Sequence, residues 1–130
     1  MELKLIKQPE SNWKQRNKKL EEFLDNRLVI STTNYIHLLD LEDILYLKSV
    51  GNYTRIIMIT GKEILCSKTL KHYEQLLSDK AFLRVHSSYL INLNKVIGIK
   101  RNGVYTIELH DGTMIPVSRG YKDNLFSKIF

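Results

Sequence analysis

The 130-residue chain contains one cysteine, Cys66, which excludes an internal disulfide. In the stretch Ile64-Leu65-Cys66 the thiol reads as a small buried apolar side chain. No apolar run approaches the ~20 residues of a membrane span, and the start, Met1-Glu2-Leu3-Lys4, lacks the apolar core of a signal peptide, so a cytoplasmic protein is expected. Catalytic spacing is missing as well. His37, His72, His86 and His110 form no His-x-x-x-His or His-Glu-x-x-His pattern, and there is neither a Gly-x-Ser-x-Gly elbow nor a phosphate-cradling glycine-rich loop. Asp40, Glu42 and Asp43 cluster in sequence but stand before a strand. Neither an enzyme nor a metal or cofactor site is expected. Internal repeats and low-complexity segments are also absent.

What is present is ordinary globular composition, 43% apolar and 26% charged, at a length that suits one core. The formal charge of +6 is unevenly placed. Residues 1–26 hold six basic and five acidic side chains, net +1, and residues 27–43 hold one against three, net −2. Residues 44–130 hold 13 against six, net +7. A basic excess of this size is compatible with phosphate binding and equally with a solvated surface.

The hydrophobic pattern divides the chain at residue 27. Within 1–26, Ser11-Asn12 is placed to cap a helix carrying Trp13, Leu20, Phe23 and Leu24 on a thin apolar stripe. A dimer-forming helix, the tail of a linker, and a helix packed on its own domain all fit that stripe. From Arg27 the pattern turns to short β-runs: 28–31, 35–39, 44–48, 53–59 and 63–67, divided by Thr33-Asn34, Gly51-Asn52 and Thr60-Gly61. Leu70, Tyr73, Leu76 and Leu77 then recur at helical spacing behind Ser67 or Thr69 as N-cap. Further strands are expected over 82–86, 96–100, 105–109 and 114–117, with Asn102-Gly103 and Asp111-Gly112 as hairpin turns. Tyr121, Leu125 and Ile129 suit a closing helix capped by Ser118. The expected fold is mainly β: short antiparallel strands in small packed sheets, one short internal helix, a C-terminal helix, and an extra helical segment at the amino terminus.

The most telling stretch is Phe82-Leu83-Arg84-Val85-His86-Ser87-Ser88-Tyr89-Leu90-Ile91-Asn92, which sets Arg, His, two hydroxyls and Asn inside an apolar frame. Strand alternation puts Phe82, Arg84 and His86 on one face, so His86 shares its side with a cation and is expected to be reachable. The stretch resembles the Arg-x-His-x-Ser-Tyr/Phe-x-x-Asn signature of the LytTR family, bacterial DNA-binding domains that usually form the output half of response regulators. Leu41-Glu42-Asp43-Ile44-Leu45-Tyr46 with Gly51-Asn52-Tyr53-Thr54, Ser67-Lys68-Thr69-Leu70, and Ile115-Pro116-Val117-Ser118-Arg119 agree in the family's order. The resemblance covers residues 27–130, and residues 1–26 form a linker or helix before it.

The resemblance implies sequence-specific binding of double-stranded DNA, with loops entering the major groove. His86, Ser87 and Ser88, with Ser118 and Arg119, are then expected to read base edges, where Arg forks onto guanine. Lys68, Arg84, Arg101 and Lys122 are expected to anchor phosphates. Asn52, Tyr53, Thr54 and Asn92 match further family positions at the DNA-facing surface. Three positions depart from the pattern: Ser87 stands where relatives carry a long basic or amide side chain, Gly120 where many continue with a basic residue, and Lys48 where an acid is frequent. The implied partners are promoter repeats, a second copy on DNA, and a sensor kinase acting through a receiver domain. No such domain precedes Arg27, so a stand-alone regulator or an excised output half is expected. A small β-barrel module binding a protein or peptide on a sheet edge is the alternative from another class.

Overall fold

The computed structural model describes residues 24–130, and the expected amino-terminal helix lies outside them except for the exposed Leu24. The chain divides into two compact units, Met1–Leu41 and Glu42–Phe130. In the first, β1 (Arg27–Ser31) and β2 (Ile36–Asp40) form an antiparallel hairpin with Val29 opposite Leu38. Both strands were expected at the head of the domain that begins at residue 27, and their ladder is complete in itself: β1 and β2 hydrogen-bond to each other as a separate sheet.

The second unit carries β3 (Ile44–Val50), β4 (Tyr53–Met58), β5 (Glu63–Cys66), β6 (Phe82–His86) and β7 (Tyr89–Asn92) in one antiparallel sheet of order β5-β4-β3-β7-β6. A second sheet, order β10-β9-β8, consists of β8 (Val96–Lys100), β9 (Thr106–Leu109) and β10 (Met114–Pro116). Both expected hairpin glycines in it take left-handed φ, Gly103 at 91° and Gly112 at 93°, as tight turns of this kind require. Helix α1 (Leu70–Leu76) is capped by Thr69, whose hydroxyl accepts the His72 N–H at 3.3 Å. Helix α2 (Lys122–Ile129) closes the chain. Ser118, expected to cap α2, makes no side-chain cap bond. A 3-10 turn at Arg119–Tyr121 intervenes, and there Tyr121 N–H donates to the Ser118 carbonyl at 3.0 Å, so the helix begins at Lys122.

Strand β7 was not expected. Its Leu90, Ile91 and Asn92 are all buried because it is an interior strand between β3 and β6, so no polar alternation marks it in the sequence. The five-stranded sheet buries both faces. Leu83, Ile91 and Ile57, with Tyr46 between the last two in register, join Ile107, Leu109, Ile115, Val117 and Leu125 in one core between the sheets and α2. On the opposite face Leu90, Leu47, Ile56 and Ile64 lie directly across from one another. Helix α1 packs against β3, β6 and β7 with Leu70 and Tyr73 buried.

Cys66 is buried beside Tyr73, as the apolar reading of its surroundings predicts. Burial pushes both the thiol and the Tyr73 phenol above their ordinary values. The folded state therefore holds these protons while the unfolded chain releases them at about pH 9 and 10, so stability is level below that range and falls as pH rises through it. Urea melts at pH 8 and pH 10.5 should show the loss, and Tyr73→Phe should reduce it. An unchanged pH dependence in that variant would remove Tyr73 as a cause.

Candidate nucleic-acid interface

The antiparallel registers of the second unit sort its loops by end. β3 stops at Val50 opposite Tyr53, Lys48 pairs with Tyr89, and Thr54 pairs with Cys66. The turns at 51–52 and 87–88 and the loop at 67–69 therefore share one end of the five-stranded sheet. Ser118 N–H donates to the Val85 carbonyl at 3.0 Å, tying the end of the second sheet to the tip of β6, and Val117 N–H donates to Tyr105 at 2.9 Å. The loop 101–105 and the 118–119 junction thus join the same end. The loops at 59–62, 77–81, 93–95 and 110–113 occupy the other end.

Charge follows this sorting. The first end carries Lys48, Lys68, Lys100, Arg101, Arg119 and Lys122, none of which takes part in the ion pairs Arg27–Asp40, Arg55–Glu63, Lys80–Asp79 and Arg84–Glu74. The other end mixes Lys62, Asp79, Lys80, Lys95 and Asp111. Burial pushes the Asp111 carboxyl up, but hydrogen bonds from the Thr113 N–H and hydroxyl outweigh it and hold the group below its ordinary value. The basic end, with more cations than acids, therefore presents a field that attracts polyanions.

At the centre of the basic end is an open groove of about 370 Å³, lined by His86, Ser118, Arg119 and Lys122 together with Gly103, Val104, Tyr105, Pro116 and Val117. Residues far apart in sequence meet here because β6 and the end of β10 are stitched by the Ser118–Val85 bond. The ladder of β6 slips between Arg84 and His86, a bulge that re-aims the last side chain of the strand. His86 is half-buried, its ring edge-on to Tyr89 with centroids 5.4 Å apart. Its Nδ1 accepts the Ser88 N–H at 3.0 Å, so in the neutral ring the proton sits on Nε2. The imidazole is thereby a fixed donor, suited to base acceptors such as guanine O6 or N7.

The other expected site residues fall into two groups. Ser87, Arg119, Asn52, Tyr53, Lys68 and Arg101 are exposed on this end, and Ser88, Ser118 and Lys122 are half-buried there. Lys122 lies with Nζ 5.5 Å from the centre of the Tyr105 ring, and Lys48 similarly 5.7 Å from Tyr89. Three expected contacts are placed elsewhere. Asn92 is buried: its Nδ2 donates to the Ile44 carbonyl at 2.8 Å, and its Oδ1 accepts the Asn94 N–H at 3.0 Å. Thr54 is fully buried and its hydroxyl donates to the Lys68 carbonyl at 2.8 Å, holding the 67–69 loop.

Arg84 is the third. Its register partner is Leu90, so it stands on the face covered by α1, with a side chain only 13% exposed. Nε donates to the His86 carbonyl at 3.0 Å, one terminal nitrogen to the Ser87 carbonyl at 2.6 Å, and the other to Glu74 at 2.7 Å. Three of its five donors are thus held inside the protein, two of them on the carbonyls of the 86–88 turn. Glu74 was not anticipated, since no local spacing links a helix acid to an arginine on the next strand.

Loops that gather cations, hydroxyls, an amide and a tautomer-fixed imidazole on one end of a two-sheet scaffold define a β-rich nucleic-acid-binding module. Residues 34–130 match the LytTr DNA-binding domain, and the chain belongs to the LytTR family. It is similar to the sensory transduction protein LytT of Bacillus subtilis, 30% identical over 102 residues that cover 77% of this chain and 42% of that protein. It is also 34% identical over 89 residues to the transcriptional regulatory protein NatR of Bacillus subtilis, covering 68% of this chain and 36% of NatR. The chain thus spans less than half the length of these curated relatives. Its fold is that of the LytTr DNA-binding domain of a response regulator from Bacillus cereus, with a TM-score of 0.67 at 20% identity over 78% of this chain and 94% of that one. Among the described residues no helix is long and apolar enough to cross a membrane.

Proposed function

We propose that the chain binds double-stranded DNA in a sequence-specific way and regulates bacterial transcription as the output module of a two-component response regulator. The observation that carries this reading is the meeting of His86, Ser118 and Arg119 at one groove on the basic end. The turn at 86–88 and the 118–119 junction enter the major groove and read base edges, while Lys68, Arg101 and Lys122 hold phosphates and fix the register. Asn52 and Tyr53 meet the flanking backbone. Two copies occupy neighbouring promoter repeats, and the signal of a sensor kinase arrives through a receiver domain that is not part of this sequence. The relatives' length and the name sensory transduction protein support that last assignment.

Salt dependence tests the reading. Three phosphate contacts per domain correspond to a slope of about −2.7 in log affinity against log salt. Fluorescence anisotropy with a duplex selected from a random pool should return a value near that slope, and Lys68→Ala should lower it by about one contact, ~0.9. An affinity for DNA that ignores salt would instead favour an apolar sheet-edge interaction module and discard the proposal.

A further inference from the structure

We propose that Glu74, a helix residue outside the DNA-facing loops, is a positioning residue for DNA recognition that acts through Arg84 on the turn at 86–88. The inference rests on the reading that this turn meets DNA. The turn is closed by the His86–Tyr89 pair of the β6–β7 ladder and by the Ser88 N–H bond to His86 Nδ1, and the Ser49 N–H of β3 donates to the Ser88 carbonyl at 3.0 Å. Its two leading carbonyls, of His86 and Ser87, are both held by one guanidinium, that of Arg84. A guanidinium offers five donors in a rigid plane, so its orientation sets both carbonyls together.

What orients that plane is Glu74 Oε1, at 2.7 Å from the remaining terminal nitrogen, from helix α1 on the same face of the sheet. Tyr121, in the same 3-10 turn as Arg119, lies with its ring centre 5.9 Å from the guanidinium carbon. The carboxylate therefore fixes the fork that fixes the turn, and the turn places His86. Glu74 is also an acid near a basic surface, where it opposes DNA binding by charge alone. These effects have opposite signs and can be separated.

The test uses the full chain, a duplex selected from a random pool by the wild-type protein, and a scrambled duplex of the same length. Glu74→Ala should weaken binding to the selected duplex by about tenfold, within what one displaced base contact costs, while binding to the scrambled duplex stays level or tightens. Glu74→Gln, which keeps an acceptor oxygen but not the charge, should lose less. In a Glu74→Ala/His86→Ala double variant the loss should not exceed that of His86→Ala alone, since both act through the same contact. Parallel losses on both duplexes together with a lowered melting temperature would reduce Glu74 to a fold element and overturn the proposal, as would unchanged affinity for the selected duplex. If Glu74→Ala does not fold, Glu74→Gln decides by the same split between duplexes. Failure of the wild-type chain to discriminate the duplexes would instead defeat the reading of the turn as a DNA contact.

Discussion

Replacing Arg119 by alanine is expected to weaken binding to a selected duplex by about 1 to 3 kcal/mol, roughly 5- to 150-fold, with an unchanged melting temperature. The size follows from chemistry and placement. Arg119 is exposed in the 3-10 turn before α2, lines the groove beside His86, and takes no part in the ion pairs Arg27–Asp40, Arg55–Glu63, Lys80–Asp79 and Arg84–Glu74. Its fork is therefore available to a guanine edge, and its loss leaves no buried group unsatisfied. His86→Ala should cost a similar amount, because it removes the fixed Nε2 donor while Ser88 keeps its remaining main-chain bond. Affinity for selected and scrambled duplexes separates two roles for each residue: a base reader loses on the first only, whereas a phosphate anchor loses equally on both. Equal losses would move Arg119 to the anchoring set with Lys68 and Arg101, and no loss on either duplex would take it out of the interface.

Asn92→Ala should act in the opposite way, on the fold first. The substitution strips the Ile44 carbonyl of a 2.8 Å bond across the sheet and leaves the Asn94 N–H without its cap at 3.0 Å, at a site 2% exposed. A buried acceptor deprived of its donor costs about 1–3 kcal/mol and a lost cap about 1 kcal/mol, so the sum is roughly 2–4 kcal/mol, or about 10–25 °C in melting temperature for a unit of this size. DNA affinity, measured at a temperature where the variant is still folded, should match the wild type. The decisive result against this assignment would be a variant with native melting temperature and reduced specific affinity, which would return Asn92 to the DNA-facing surface. Asn92→Asp offers a second measure: it keeps the acceptor for Asn94 but has no amide for Ile44, and a charge at this site has little water to stabilise it.

The contrast between these two residues marks where sequence patterns carry structural information and where they do not. Turn chemistry is local, so Asn102-Gly103 and Asp111-Gly112 are hairpin turns both in the pattern and in the fold. The same holds for Thr69 as N-cap, and for β6 and β8, whose bounds agree with the periodicity. The motif residues were legible as a group because a family signature fixes their order. Their separate roles were not. Arg84, Asn92, Thr54 and His86 are all polar residues near a β-rich motif, and nothing in linear spacing says which of them faces inward.

The amino-acid sequence by itself determined the β-rich class, the positions of the tight turns, the surplus of positive charge after residue 44 and the family, since each depends on residue type or on neighbours a few positions apart. The tertiary structure decided the rest. The bulge at the end of β6 and the Ser118–Val85 bond bring His86 and Arg119 to one groove across more than thirty residues of chain. Strand pairing turns Asn92 and Thr54 inward, and the docking of α1 gives Arg84 its Glu74 partner. These are long-range contacts, fixed by which strands become neighbours, and side chains of the same chemical type take different roles according to the face and the end of the sheet on which that pairing leaves them.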